Sequence, residues 1–164
     1  SVDVETALAV SSDAFFYRIG ETIMTENDYQ PILQEEVRKF GFGSDPGIDL
    51  PYAFDGTVPD AELKAEYGER GVITESEASG YFTGDNVQLA IGQGLLSASP
   101  LQLAMGYSTI ANKGYLMKPE IIKAVYEPGV PDSPVQGYAD ITQAKLAQEP
   151  NVAGEVIRQL PLAQ

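Results

Sequence analysis

The first two dozen residues force a bend. Val4-Glu5-Thr6-Ala7-Leu8-Ala9-Val10 and Ala14-Phe15-Phe16-Tyr17-Arg18-Ile19-Gly20 both carry apolar residues at helical spacing, and Ser11-Ser12-Asp13 interrupts them. Ser and Asp side chains bond to nearby backbone, so they favour caps and turns over helix interiors. The pattern predicts a short helix, a tight polar corner, and a second helix that buries Phe15, Phe16, Ile19 and Ile23. A corner anchored by two aromatic rings is rigid, which a catalytic serine requires. On these residues alone, the plainer reading is that Ser12 caps the second helix.

A chain of 164 residues with 43% apolar composition can bury a real core within one domain. Cysteine and histidine are both absent. That excludes disulfides and thiolate chemistry, argues against zinc, and leaves carboxylate, lysine or tyrosine as any general base. No metal or other cofactor is expected. The formal charge of −14 would repel phosphates, so a nucleic-acid partner is not expected. No run of apolar residues is long enough to span a membrane, and no signal peptide is visible. The sequence opens without Met, already in helical periodicity, and closes on a helical pattern, as expected of a piece of something larger.

Further along, Asn27-Asp28-Tyr29-Gln30-Pro31 reads as a helix start, with Asn27 as cap and a buried face of Ile32, Leu33, Val37 and Phe40. Gly41 and Gly43 end it. Ile48–Leu50 reads as a short extended piece burying two side chains. Ala61–Tyr67 and Thr74–Ser79 read as short helices in a polar surface region, the second opened by a Thr74…Glu77 capping box. Ser99 as N-cap, Pro100 as first helical residue and Gln102 as box partner make the best helix start in the chain. Its apolar set of Leu101, Ala104, Met105 and Ala111, widened by Leu103, Tyr107 and Ile110, predicts a central, buried helix. Ile121–Tyr126 reads as a strand, Pro128 to Pro134 as a loop, and Asp140 to Leu146 as a modest helix. Val152–Leu160 reads as a final amphipathic helix.

Ahead of the Ser99 helix start, Gly92 and Gly94 could let backbone approach a ligand, or could form a tight joint between helices. Their spacing matches neither a dinucleotide fingerprint nor a phosphate loop.

Taken together, these stretches resemble the class B penicillin-binding proteins, the peptidoglycan DD-transpeptidases. Ala7-Leu8-x-x-Ser11-Ser12-Asp13-x-Phe15-Phe16-Tyr17 is similar to the region around their second catalytic motif. Phe40-Gly41-Phe42-Gly43 and Gly47-Ile48-Asp49-Leu50-Pro51 resemble the stretch that follows it. Gly84-Asp85, Ala90-Ile91-Gly92-Gln93-Gly94, Ser99-Pro100-Leu101-Gln102-Leu103-Ala104 and Ala111-Asn112-x-Gly114, with Pro119, resemble the next block. The four blocks fall in the family's order over roughly residues 4 to 122.

The resemblance implies an α+β fold of the β-lactamase/penicillin-binding transpeptidase type, with residues 1–164 as the mostly helical central part. It gives Ser11 and Asp13 catalytic roles and leaves Gly92, Gln93 and Gly94 as site floor or structure. Ser-x-x-Lys and Lys-Ser/Thr-Gly are both missing, so the nucleophilic serine and its lysine are expected outside this chain, which should be inactive alone. Asp13 stands where the family has Asn; an ionised carboxylate accepts hydrogen bonds but cannot donate them. Implied partners are peptidoglycan stem peptides, β-lactams, the rest of the same domain and membrane proteins of cell-wall synthesis. The implied location is the extracytoplasmic side of the bacterial cytoplasmic membrane. Two other readings stand beside this one: a penicillin-recognising sensor or inactive scaffold of the same fold, and an acidic helical interaction module.

Overall fold

The computed structural model describes residues 2–48, 50–121 and 155–161. They fall into two compact units, one built from Ser1–Ser44 and Gly56–Ala98, the other from Asp45–Asp55 and Ser99–Gln164.

The first unit is helical. It holds α1 (Val4–Ala9), α2 (Asp13–Glu26), α3 (Ile32–Lys39), α4 (Ala61–Glu69), α5 (Glu75–Ala78) and α6 (Thr83–Leu89). Side-chain caps open three of them. Asp3 accepts from the Thr6 N–H at 2.8 Å, Asp60 from the Leu63 N–H at 2.8 Å, and Thr74 and Glu77 form the predicted reciprocal box. Each cap satisfies donors that a helix start leaves unpaired. Arg38 on α3 bonds the Asp60 carboxylate and the Val58 carbonyl, tying α3 to the start of α4. Thr57 and Ser97 exchange backbone hydrogen bonds of 2.8 and 3.0 Å in an isolated antiparallel bridge.

The α2–α6 contact is the main helix packing of this unit, and α2 also meets α3. Gly20 makes the close approach feasible: a Cβ there would lie 2.9 Å from the Ala90 Cβ and 2.9 Å from the Asn86 carbonyl oxygen. The fully buried residues of α2 are therefore Gly20 and Met24. Phe15, Phe16, Ile19 and Ile23, expected to be buried, are not fully so, because the contact centres on the glycine rather than on the large side chains. Asn27 caps the end of α2 by donating to the Ile23 carbonyl at 2.8 Å, rather than opening α3, which starts at Pro31 without a side-chain cap. On α3 the fully buried residue is Gln34, and the predicted apolar set is half-buried.

The second unit packs α7 (Pro100–Ala111) against β1 (Tyr115–Met117), which pairs antiparallel with β2 (Val156–Gln159). Tyr115 faces Gln159 and Leu116 faces Arg158, with an irregularity before Met117 meets Val156. Leu116 and Leu160 are buried here. The Ser99/Gln102 box opens α7 as the sequence predicts. Its buried stripe is different: Gln102, Met105, Gly106 and Thr109 lie inside, while Leu103, Tyr107 and Ile110 are exposed, as are Ala104 and Ala111. Gln102 donates to the Asp55 carbonyl at 2.7 Å and Thr109 to the Met105 carbonyl at 2.8 Å. Buried polar groups that keep their hydrogen bonds lose little on burial, so polarity does not bar this face.

Two further expectations are corrected. The described part of Val152–Leu160 is strand, because Val156–Gln159 finds a pairing partner in β1. Neither Ile48 nor Leu50 lies in a strand, and Leu50 is exposed. Asp49 lies outside the described residues, as do 122–126 of the predicted strand, the loop after Pro128 and the helix from Asp140. Among the described residues no helix is long and apolar enough to cross a membrane.

Candidate functional site

The corner between α1 and α2 is a Schellman ending. The Ser12 N–H reaches back to the Ala7 carbonyl at 2.8 Å and the Ser11 N–H to Leu8 at 3.2 Å. Such an ending requires a left-handed residue at its penultimate position, usually glycine. Here that residue is Ser11, at φ +52°. A side chain in this region costs about 1 kcal/mol against glycine. Ala7, whose carbonyl takes the closing bond from Ser12, is fully buried. Phe15 and Phe16 meet edge to face at 5.3 Å and 80°, a favourable arrangement of ring quadrupoles.

The turn leaves Ser11 and Asp13 exposed on either side of the half-buried Ser12. Among the described residues neither the Ser11 hydroxyl nor the Asp13 carboxylate has a hydrogen-bond partner, and Ser12 makes no side-chain cap to α2. The capping role predicted for Ser12 is absent. Asp13 is the first residue of α2, where the partial positive charge of the helix end favours a carboxylate. The corner therefore presents a hydroxyl and a carboxylate, both without partners among the described residues, held by backbone geometry.

Gly92, Gln93 and Gly94 follow α6 and are exposed. The Gln93 N–H bonds the Gln88 carbonyl and the Gly92 N–H the Leu89 carbonyl, both at 2.9 Å, with Gly92 at φ +71°. This is the same Schellman pattern, now with glycine at the left-handed position. At Gly94, φ +72°, an added Cβ would meet the Gln88 Cβ at 3.1 Å. Among the described residues no hydrogen bond or ring contact joins these three to Ser11 or Asp13.

A second polar centre escaped sequence reasoning. Lys64 on α4 is only 3% exposed and donates to Asp85 Oδ2 at 2.5 Å, with its ammonium 4.8 Å from the centre of the Phe82 ring. The same Asp85 oxygen accepts the Phe82 N–H at 2.8 Å and so caps α6. The pair borders a cavity of about 330 Å³ whose walls include Pro59, Ile73, Glu77, Gln88 and Leu95. The Thr74 hydroxyl and backbone N–H hold the Glu77 carboxyl below its ordinary value. The Lys64–Asp85 pairing joins residues on different helices, which no local pattern announces. No group of three or more metal-ligating side chains occurs among the described residues.

A polar chain links α6 to α2 at Gly20. Asn86 on α6, 1% exposed, donates to the Gly20 carbonyl of α2 at 2.7 Å and accepts from the Tyr81 hydroxyl at 3.4 Å. Burial, with the Asp85 charge adding to it, pushes the Tyr81 hydroxyl well above its ordinary value, against the opposing hydrogen bond from Gln34.

The sequence matches the family model of the penicillin binding protein transpeptidase domain over residues 1–160. Peptidoglycan D,D-transpeptidase MrdA of Acinetobacter baumannii is 30% identical over 125 residues, covering 76% of this chain and 16% of that protein. The protein of the same name from Haemophilus influenzae is 28% identical over 148 residues, covering 88% of this chain and 20% of its own length. Among solved structures, Pseudomonas aeruginosa PBP2 in complex with WCK 5153 superposes with a TM-score of 0.61 at 28% identity. That match covers 81% of this chain and 27% of the other. The complex of Helicobacter pylori PBP2 and MreC gives 0.57 at 29% identity, over 88% of this chain and 24% of the other. The chain thus spans a fifth or less of the length of these two curated relatives.

Proposed function

Because this chain belongs to the penicillin-binding protein transpeptidase domain family, of the class B kind, we propose that its parent is a peptidoglycan D,D-transpeptidase acting through a serine acyl-enzyme. Residues 1–164 are then a partial transpeptidase domain that supplies the second of three catalytic motifs. The nucleophilic serine and its lysine come from outside this chain. In the proposed reaction that serine attacks the carbonyl of a D-Ala-D-Ala stem peptide, D-alanine leaves, and an amine of a second strand takes the acyl group. The Ser11 hydroxyl lies on the proton path to the leaving nitrogen. Asp13 accepts from the lysine ammonium and holds it in place, a charge-assisted contact. Phe15, Phe16 and Tyr17 pack behind the motif. β-Lactams acylate the same serine by presenting a strained amide where the peptide would lie.

One observation carries this reading: Ser11 occupies a left-handed backbone position that a glycine would fill at less cost, and its hydroxyl is exposed with no partner among the described residues. The test uses the full-length parent protein. Ser11→Ala is expected to slow acylation by a fluorescent penicillin by about a hundredfold, the scale of a lost proton relay. Unchanged acylation would overturn the assigned role.

Asp13 favours a second reading, a penicillin-recognising sensor or inactive scaffold, because a carboxylate cannot donate to a substrate carbonyl. That reading predicts acylation by penicillin without turnover of stem peptides. The acidic interaction-module reading rests on composition alone and gives way to the family membership. The location proposed for the parent is the cytoplasmic membrane, with the domain outside. Its proposed partners include cell-wall proteins comparable to the MreC bound by the Helicobacter pylori protein.

A further inference from the structure

We infer that Asn86 is a positioning residue for the Ser11–Asp13 corner, acting through the carbonyl of Gly20. The inference rests on the catalytic reading of Ser11 given above. Two independent observations fix α2 on α6 at one point. The Asn86 amide, 1% exposed, donates to the Gly20 carbonyl at 2.7 Å. At the same place Gly20 leaves no room for a Cβ, which would meet Ala90 and Asn86 at 2.9 Å. The glycine sets how close the helices come, and the amide sets where along its axis α2 stops.

An apolar contact would not do the second job, because it is non-directional and tolerates sliding. A buried hydrogen bond favours one register, since a shift leaves the Asn86 amide unpaired inside the protein, while the Gly20 carbonyl keeps its bond within α2. Slipping α2 by one residue would move Asp13 about 1.5 Å along the axis and turn it about 100°. Misplacement of about 1 Å can cost a reaction a hundredfold. The latch point at Gly20 lies about two helical turns from Asp13 along α2, close enough for a rigid helix to carry the constraint. The latch is itself braced. Tyr81 donates to the Asn86 Oδ1 at 3.4 Å.

The test is a double-mutant cycle in the full-length parent, read as the rate of acylation by a fluorescent penicillin, with thermal unfolding of each variant alongside. Asn86→Ala is expected to slow acylation about tenfold with Ser11 present and by a clearly smaller factor in the Ser11→Ala background, because part of its effect runs through that serine and the rest through Asp13. Equal factors in both backgrounds, or an unchanged rate with Ser11 present, would overturn the inference. If Asn86→Ala does not fold, Asn86→Ser leaves a smaller void and takes its place in the cycle, where the same results support or overturn the inference. The Ser11→Ala arm separates the two ideas. An unchanged rate in that single variant rejects the catalytic reading, whereas a slowed rate with additive effects rejects only the latch.

Discussion

The ends of α1 and α6 have the same backbone and different residues. Both close with a hydrogen bond from the last turn's successor back to the fifth residue before it, Ser12 to Ala7 at 2.8 Å and Gln93 to Gln88 at 2.9 Å. Both need a left-handed residue just before that donor. At the end of α6 it is Gly92, where a Cβ would meet nothing within 4 Å. At the end of α1 it is Ser11, which bears the conformational cost. Glycine at a left-handed corner needs only the backbone to explain it. Serine bears a cost that Lys113, at φ +55°, also bears at the end of α7, so the case for Ser11 rests on its exposed hydroxyl beside Asp13 and not on the backbone alone.

The comparison breaks most directly at Ser11. Ser11→Ala and Ser11→Gly both remove the hydroxyl, and only the second relieves the backbone. Both are expected to lose acylation about a hundredfold in the full-length protein, while Ser11→Gly unfolds at a higher temperature than Ser11→Ala by about 1 kcal/mol of stability. If acylation instead follows stability, the corner matters as a turn and not as a hydroxyl.

The reciprocal change is Gly92→Ser. It should destabilise by about 1 kcal/mol and leave the acylation rate of the folded protein within twofold. A large loss of acylation without loss of stability would place Gly92 in the site floor and not in a joint.

The starts of the same two helices should respond at opposite extremes of pH. On the α6 side, Tyr81 holds its proton more tightly folded than unfolded. Its stabilising contribution is therefore complete below its ordinary value of 10.0 and is lost as pH rises through the higher folded value. Tyr81→Phe should flatten that alkaline loss in unfolding midpoints. On the α1 side, the Thr6 hydroxyl and N–H hold the Asp3 carboxyl below its ordinary 3.8. Its contribution is present above 3.8 and lost as pH falls through the lower folded value, a smaller effect since Asp3 is fully exposed. Hydrogen exchange at the Thr6 amide should quicken there, and Asp3→Asn, which still caps, should remove the pH dependence.

Much of this was legible in the sequence where the cause is local. The Thr74/Glu77 and Ser99/Gln102 boxes, the glycine stop after α3, and the corner at Ser11–Asp13 all follow from residues within a few positions of one another. What failed depends on distant partners. Of the apolar residues of α7 Met105 is buried as expected and Leu101 half-buried, but the others face outward, because Gln102 and Thr109 find backbone acceptors that make their burial tolerable. Val156–Gln159 is too short for its period to separate strand from helix, and β1 decides it. Gln34, Asn86 and Lys64 are polar or charged and yet buried, which hydrophobicity cannot anticipate.

Asp85 carries one more implication. A single oxygen both neutralises Lys64 and terminates the first turn of α6, so the two ends of this ion pair are not exchangeable. Swapping the signs, Lys64→Asp with Asp85→Lys, would restore the attraction but set an ammonium against the positive end of a helix. Among homologues, the position of Asp85 should then stay acidic while that of Lys64 drifts between cations, a one-sided pattern that a simple electrostatic pair would not leave.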